Sequence, residues 1–419
     1  MVKKMSKTRR KPANGTAHKR ANQKTCLKNS ETLCAVSDRC GGCSCVNVSY
    51  EEQLKGKDEQ IAELFSDVQF AQAEIRLILG MQDPLFYRDK VTAPFAPGKR
   101  GRDGSCEIIT GMYAAGSHRI IQTKRCLVEN ERAQEIVKAI CHVMKTHHVA
   151  PYDEVRGTGF LRHAIIRVGH ESGEVLVTLV TNEEMFRSSK SFCRDIVKRC
   201  PFITSIVQNV NTRQTNVILG EKEQRLYGPG FIIDSLCGLT FRISSQSFYQ
   251  VNARQTAVLY EEAISLAELD GSQSVIDAYC GTGTIGLVAA KKGAARVLGV
   301  DSVASSIRDA RENARHNGVE NASFTVADAG EYLHDIARQD EHVDVVLMDP
   351  PRAGSSEAFL DALAALGPSR VVYISCNPRT QVRDIAYLQK RGYRLSVVQP
   401  VDMFPHTDHI ESIAQLLHI

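Results

Sequence analysis

From about residue 251 to its end, this 419-residue chain reads as an α/β domain built on a parallel sheet, with a smaller mixed α/β domain ahead of it. Two observations predict this. Short apolar runs at 274–278, 296–300, 323–326, 343–348, 370–374 and 395–398 alternate with helix-patterned stretches, as in βαβ winding. Two of these runs end in loops rich in Gly or Pro, at the edge where open α/β sheets bind their ligands.

The pattern differs upstream. Runs at 164–168 and 175–180, joined by His170-Glu171-Ser172-Gly173, predict a hairpin, and 129–145 predicts a helix before it. More strand is expected over 230–250, and a charged helix over 49–79. The chain is long enough for two or three cores. The division expected is a basic tail at 1–30, a cysteine segment with helical linker at 31–80, a central domain at 81–246 and the α/β domain at 247–419.

Ten of the 52 Lys and Arg, and none of the 48 Asp and Glu, fall in residues 1–30. Such a segment has too little apolar surface to fold alone. It serves either as a solubilising tail or as an electrostatic arm for nucleic acid, with a transit peptide as a third reading. The chain has no apolar run of eighteen residues and no apolar segment of signal-peptide type at its start, so a cytoplasmic protein is expected.

The first α/β strand runs into Tyr279-Cys280-Gly281-Thr282-Gly283, and a helix-forming stretch follows. Glycines at a strand-to-helix turn let a ligand approach the backbone. The second strand ends in Asp301, where a carboxylate can accept from both ribose hydroxyls of a nucleoside. The loop lacks the Gly-Lys-Ser/Thr ending of an NTPase cradle, which leaves NAD as the competing ligand. The fourth strand ends in Asp349-Pro350-Pro351-Arg352, whose prolines would hold the acid and the guanidinium toward the same crevice.

The next strand ends in Ser375-Cys376-Asn377-Pro378. A thiol at a strand end facing a helix N-terminus is expected to ionise more readily than a free one, which makes Cys376 the candidate nucleophile. Near the C-terminus, His406-Thr407-Asp408-His409-Ile410-Glu411 precedes a last apolar strand, and Glu411 is the candidate proton acceptor. His409 either orients it or packs.

Thirteen cysteines are many for a reducing compartment, where disulfides are rare. Cys34, Cys40 and Cys43 have a spacing suited to metal ligation. Four thiolates would suit zinc as well as iron, and Cys26 and Cys45 are spare.

Taken in order, Phe248-Tyr249-Gln250-Val251-Asn252, Asp277-Ala278-Tyr279-Cys280-Gly281-Thr282-Gly283, Asp349-Pro350-Pro351-Arg352, Ser375-Cys376-Asn377-Pro378 and His409-Ile410-Glu411-Ser412 resemble the TrmA/RumA-type RNA (uracil-5-)-methyltransferase family. Tyr87-Arg88-Asp89-Lys90, with Asp89 where Asn is usual, and Gly159-Phe160-Leu161-Arg162-His163 look like that family's central RNA-binding domain. So does Ser205-Ile206-Val207-Gln208-Asn209.

The resemblance implies a Rossmann-like class I S-adenosylmethionine methyltransferase domain, a mixed α/β central RNA-binding domain and a small cysteine-cluster segment. It implies that Gln250, Tyr279, Gly281, Gly283, Asp301, Asp328 and Asp349 line the S-adenosyl-L-methionine pocket, that Cys376 attacks the base and that Glu411 removes a proton. It further implies a [4Fe–4S] cluster on Cys34, Cys40, Cys43 and Cys126. The expected reaction methylates C5 of a flipped uridine in RNA, with 23S ribosomal RNA favoured because the transfer-RNA members generally lack the cluster. A monomer is the default.

Three other readings compete. One is a transfer-RNA uridine methylase, and another an amino-group methylase, which would carry an aromatic residue where Arg352 stands. The third is a non-catalytic iron–sulfur factor for ribosomal RNA assembly.

Overall fold

The computed structural model describes residues 33–101, 106–339 and 341–419. The basic tail at 1–30, with Cys26, lies outside the described residues.

The C-terminal half is an eight-stranded sheet between two apolar layers. Its strands lie in the order Glu74–Ile75, Tyr393–Val401, Glu411–His418, Arg370–Ser375, Val345–Met348, Ser274–Ala278, Arg296–Asp301 and Ala322–Val326. The central strands are buried along almost their whole length because helices cover both faces. The chain winds outward from Ser274–Ala278 to Ala322–Val326, then crosses back to Val345–Met348. This reversal opens a crevice at the carboxyl ends, where doubly wound sheets take their ligands. The expected Rossmann-like domain is present, with strand bounds within two residues of the expected ones except at 393–401, which is longer at both ends.

The last two strands depart from parallel winding. Glu411–His418 inserts antiparallel between Arg370–Ser375 and Tyr393–Val401, opposing Ser375 to Ser412 and Val401 to Glu411. The intervening residues 402–410 therefore lie at the ligand-binding edge.

The expected charged helix over 49–79 is only half realised. A helix spans Tyr50–Leu64, capped by the Ser49 hydroxyl accepting from the Glu52 N–H. Residues 74–79 are extended instead: Glu74–Ile75 adds a parallel strand beside Tyr393–Val401, and Arg76 and Leu79 donate to Val398 and Pro400. Covering an otherwise open sheet edge satisfies its backbone groups, which outweighs helix propensity in so short a stretch.

The helix is fastened to the same region. Lys57 Nζ lies 2.6 Å from Asp402 Oδ1, and the Tyr50 hydroxyl donates to Oδ2 at 2.8 Å. Both charged side chains are almost fully buried, at 5% and 0% exposure.

The central domain is a six-stranded sheet ordered Cys106–Thr110, Lys90–Arg100, Leu161–Val168, Val175–Thr181, Ser205–Val210 and Lys222–Tyr227. Helices Glu131–Thr146 and Ser189–Arg199 bury apolar faces against one side of it. The expected hairpin and helix are both present. The strand expected over 230–250 is a separate hairpin, Phe231–Leu236 with Leu239–Ser244. One end of it packs Ile232 and Ile243 on Leu176 and Val207 of the central sheet, while the other sends Leu236, Leu239 and Phe241 into the α/β core. Among the described residues no helix is long and apolar enough to cross a membrane.

Replacing Lys57 by Met leaves the Asp402 carboxylate buried without its cation, which typically costs about 3 kcal/mol or more. A clear loss of denaturation midpoint is expected for this variant, and an unchanged midpoint would show that the pair carries no net stability.

Candidate active site

The glycine loop is built for close approach. Tyr279 and Gly281 turn with positive φ, at 64° and 54°, and Gly283, at 78°, caps the helix Thr284–Lys291. A Cβ on Gly283 would strike the Phe324 ring at 2.8 Å, so only glycine fits there. A Cβ on Gly281 would meet nothing within 4 Å, because that position faces open space at the crevice. The Tyr279 ring leans on Phe359, 5.1 Å between centroids.

Asp301 holds this loop from the neighbouring strand, accepting from Gly281 N–H at 3.0 Å and Val303 N–H at 2.7 Å. Asp328 caps the helix Ala329–Arg338, accepting from the Gly330 and Glu331 N–H groups. Both oxygens of Asp301, and Oδ2 of Asp328, keep a lone pair for a ligand. Gln250 is half-buried just before the helix Ala253–Ala267.

Carboxyl groups gather where the strands end. Asp349 is raised to about 7 by burial. Asp277, buried beneath the loop and accepting from Gly286 N–H at 2.8 Å, is also raised to about 7, first by burial and then by Asp349 and Asp301. Burial, with Asp349 adding, pushes Glu411 up to about 8. A pocket in which several acids resist ionisation would welcome a cationic ligand, whose charge relieves both their desolvation and their repulsion.

Cys376 sits half-buried at the end of Arg370–Ser375, in front of the helix Pro378–Gln389. The register that opposes Ser375 to Ser412 brings Cys376 and Glu411 to the same edge of neighbouring strands. The expected lowering of the thiol is reversed. Burial first, then Glu411 and Asp349, raise it, against the guanidinium of Arg352. The helix terminus is real, but desolvation and two acids outweigh it in the ligand-free site.

Two side chains, neither given a role in the sequence analysis, brace this pair. Gln381, fully buried, donates to Tyr373 O at 2.8 Å and Ser412 O at 3.2 Å, and accepts from the Ser412 hydroxyl at 2.6 Å. Asn377 donates to Arg352 O at 3.1 Å, holding the proline loop beside the thiol. His409 is exposed, its ring edge-on to Phe404.

Cys34, Cys40, Cys43 and Cys126 all line one small apolar cavity between the N-terminal segment and the central domain. Cys43 is raised to about 12, by burial and by Cys126, Cys40 and Cys34 against Arg88, and Cys126 to about 11, mainly by burial. Cys45 turns away, its sulfur 3.5 Å from Gln53 Oε1. Among the described residues no three His, Cys, Asp or Glu side chains are arranged to hold a single metal ion.

Residues 233–418 match the model of the tRNA (uracil-5-)-methyltransferase family. An uncharacterized RNA methyltransferase of Halalkalibacterium halodurans is 41% identical over 387 residues, 92% of this chain and 83% of the relative. The chain belongs to the RNA uracil-5 methyltransferase family. A Listeria monocytogenes relative, also an uncharacterized RNA methyltransferase, is 41% identical over 93% of this chain and 84% of its own length. Among solved structures, the Pyrococcus abyssi tRNA (uracil-54, C5)-methyltransferase in complex with S-adenosyl-L-homocysteine aligns with a TM-score of 0.74 and 27% identity, over 90% of this chain and 86% of that one. This RNA uracil-5 methyltransferase family member is therefore an S-adenosylmethionine-dependent enzyme acting on RNA, and the crevice described above lies where doubly wound sheets bind such a ligand.

The raised acidity constant of Glu411 has a measurable consequence. The folded carboxyl keeps its proton up to about pH 8 while an unfolded one releases it near 4.5, so the folded state binds more protons between these values. This contribution to stability is full below 4.5 and is lost as pH rises toward 8. The unfolding free energy of ligand-free Glu411→Gln should thus gain on the wild type between pH 5 and 8, by at most about 1.4 kcal/mol per pH unit. A gap independent of pH would mean that Glu411 is already ionised in the fold.

Proposed function

We propose that this enzyme methylates C5 of a uridine in 23S ribosomal RNA, with Cys376 as covalent nucleophile and Glu411 as base. The observation that carries this reading is the placement of a half-buried thiol and a buried carboxyl on adjacent strand ends, beside the glycine loop. S-adenosylmethionine, when bound, supplies a methyl group activated by its sulfonium, and Tyr279, Gly281, Gly283, Asp301, Asp328, Asp349 and Gln250 would hold it.

C5 of uracil is too weakly nucleophilic to take that methyl unaided. The Cys376 thiol loses its proton to solvent, the thiolate bonds to C6, and the electrons of the C5–C6 double bond move into an enolate. C5 then takes the methyl group, which leaves S-adenosylhomocysteine. Glu411, as carboxylate, accepts the C5 proton, the double bond re-forms and the C6–sulfur bond breaks to release thiolate. A carboxyl raised to about 8 is a stronger base once ionised than an ordinary one. While it is still protonated, its neutrality spares the Cys376 thiolate a like charge. The target base must leave its stack to reach the thiol.

We further infer that Cys34, Cys40, Cys43 and Cys126 hold a [4Fe–4S] cluster. In support, the four thiols face one enclosed apolar cavity, and their mutual repulsion calls for a cationic core. A single zinc would draw four sulfurs to about 2.3 Å from one point, whereas a polynuclear core spreads them. The cluster would pin the N-terminal segment to the central domain. It also favours ribosomal RNA as substrate, whereas the likeness to the Pyrococcus abyssi enzyme favours a transfer-RNA target as the second reading.

Cys376→Ala should lower methyl transfer by about a thousandfold or more, on the scale of losing a covalent nucleophile. Glu411→Gln should accumulate a protein–RNA adduct that survives a denaturing gel. Full turnover by the alanine variant would rule out the covalent route. Mapping 5-methyluridine in 23S and transfer RNA from cells with and without the gene identifies the substrate. Purified anaerobically, the protein should be dark and carry about four iron per chain; a colourless protein with one zinc would overturn the cluster.

A further inference from the structure

The helices of the central domain cover only one face of its sheet, packing on Val91, Ala164, Ile166, Val177 and other residues of that parity. Side chains of opposite parity, among them Lys90 and Arg167, project from the other face, part of which the hairpin Phe231–Leu236 with Leu239–Ser244 covers at Leu176 and Val207. Antiparallel pairing sets Lys90 directly opposite Arg167. Like charges so placed repel, and a strand pair normally avoids them.

Neither cation has an acidic partner among the described residues. Arg167, 5% exposed, spends its Nη2 on two carbonyls, Ser247 O at 2.6 Å and Ser245 O at 3.5 Å, and its buried Nε has no partner. Lys90 is half-buried. Both are harder to keep charged than in water: burial, then Arg167, lowers Lys90 to about 8, and burial lowers Arg167 to about 10. Asp89, the neighbour of Lys90 in the chain, points to the opposite face, where it accepts from Asn130.

The pair also stands beside the catalytic machinery. Arg167 grips Ser247, and the Asp89 N–H donates to Val251 O at 2.7 Å, so the segment 247–251 arches between two anchors on the central sheet. It carries Gln250 and Phe248, an aromatic side chain 69% exposed. At its far end, Asn252 donates to Met403 O at 2.9 Å, inside the loop that leads to Glu411.

We propose that Lys90 and Arg167 form a clamp for one phosphate of the RNA backbone, next to the nucleotide presented to Cys376. This rests on the reading of the enzyme as an RNA methylase. A phosphate supplies the counter-charge that the fold withholds, with the guanidinium as a directional donor and the ammonium as a point charge. Anchoring the strand against 247–251 would present the adjoining base to the crevice.

The test measures binding of unmodified 23S ribosomal RNA and transfer-RNA transcripts to Lys90→Met and Lys90→Arg between 50 and 200 mM salt, a range set by the counterion-release relation. For the methionine variant, affinity should fall about tenfold at the low-salt end, with the log–log salt slope shallower by about one. Arginine should restore most of it, and S-adenosylmethionine affinity and thermal midpoint should match the wild type. Replacing the phosphate beside the target uridine by a methylphosphonate should cost the wild type a similar factor and the Met variant little more. Equal affinity and slope in the Met variant would overturn the clamp, as would an equal loss of RNA and S-adenosylmethionine binding. Because the readout is binding, a wild type that methylates neither RNA would refute the methylase reading separately.

Discussion

Two neighbouring strands that run in opposite directions hold Cys376 and Glu411 together. In purely parallel winding, Glu411 would belong to another crossover unit, and its distance from Cys376 would be set by loops. Here Arg370–Ser375 and Glu411–His418 share a ladder, so the thiol and the carboxyl are fixed by backbone hydrogen bonds. Gln381 doubles this restraint from the helix that follows Cys376, bonding to one strand through Tyr373 O and to the other through Ser412. Geometry of this kind costs no ordering when substrate arrives, which is the sense in which a site is preorganised.

The same edge gathers acids that would repel one another if all were ionised. Asp277, Asp349 and Glu411 instead keep protons to unusually high pH, and the Cys376 thiol is raised with them. A sulfonium entering the crevice would shift all of these equilibria toward the ionised forms together, so that binding of a cation and ionisation of Cys376 are linked through charge.

Much of this was legible in the sequence because it is local. A glycine loop after a strand, an acid at the end of the next, a proline loop and a cysteine before a helix each declare their place by their neighbours, and the structure sets all of them along one crevice. The acidity of Cys376 was misread because it depends on Glu411 and Asp349, which are remote in sequence. Gln381 has no part in the sequence analysis. Its signal was its spacing with Ile385 and Leu388, which places it on the buried stripe of Pro378–Gln389. The strand Glu74–Ile75 was hidden because two residues carry no period.

That small strand and the Lys57–Asp402 pair join residues that ribosomes make hundreds of positions apart; the ion pair alone spans 345. Contacts so distant along the chain are slow to find and close late in folding. The emerging polypeptide can assemble its central domain early, but the edge of the larger sheet stays unsealed until nearly the last residue has been added. Disturbing Lys57 or the strand Glu74–Ile75 should thus be felt in the loop that follows Tyr393–Val401, and the reverse.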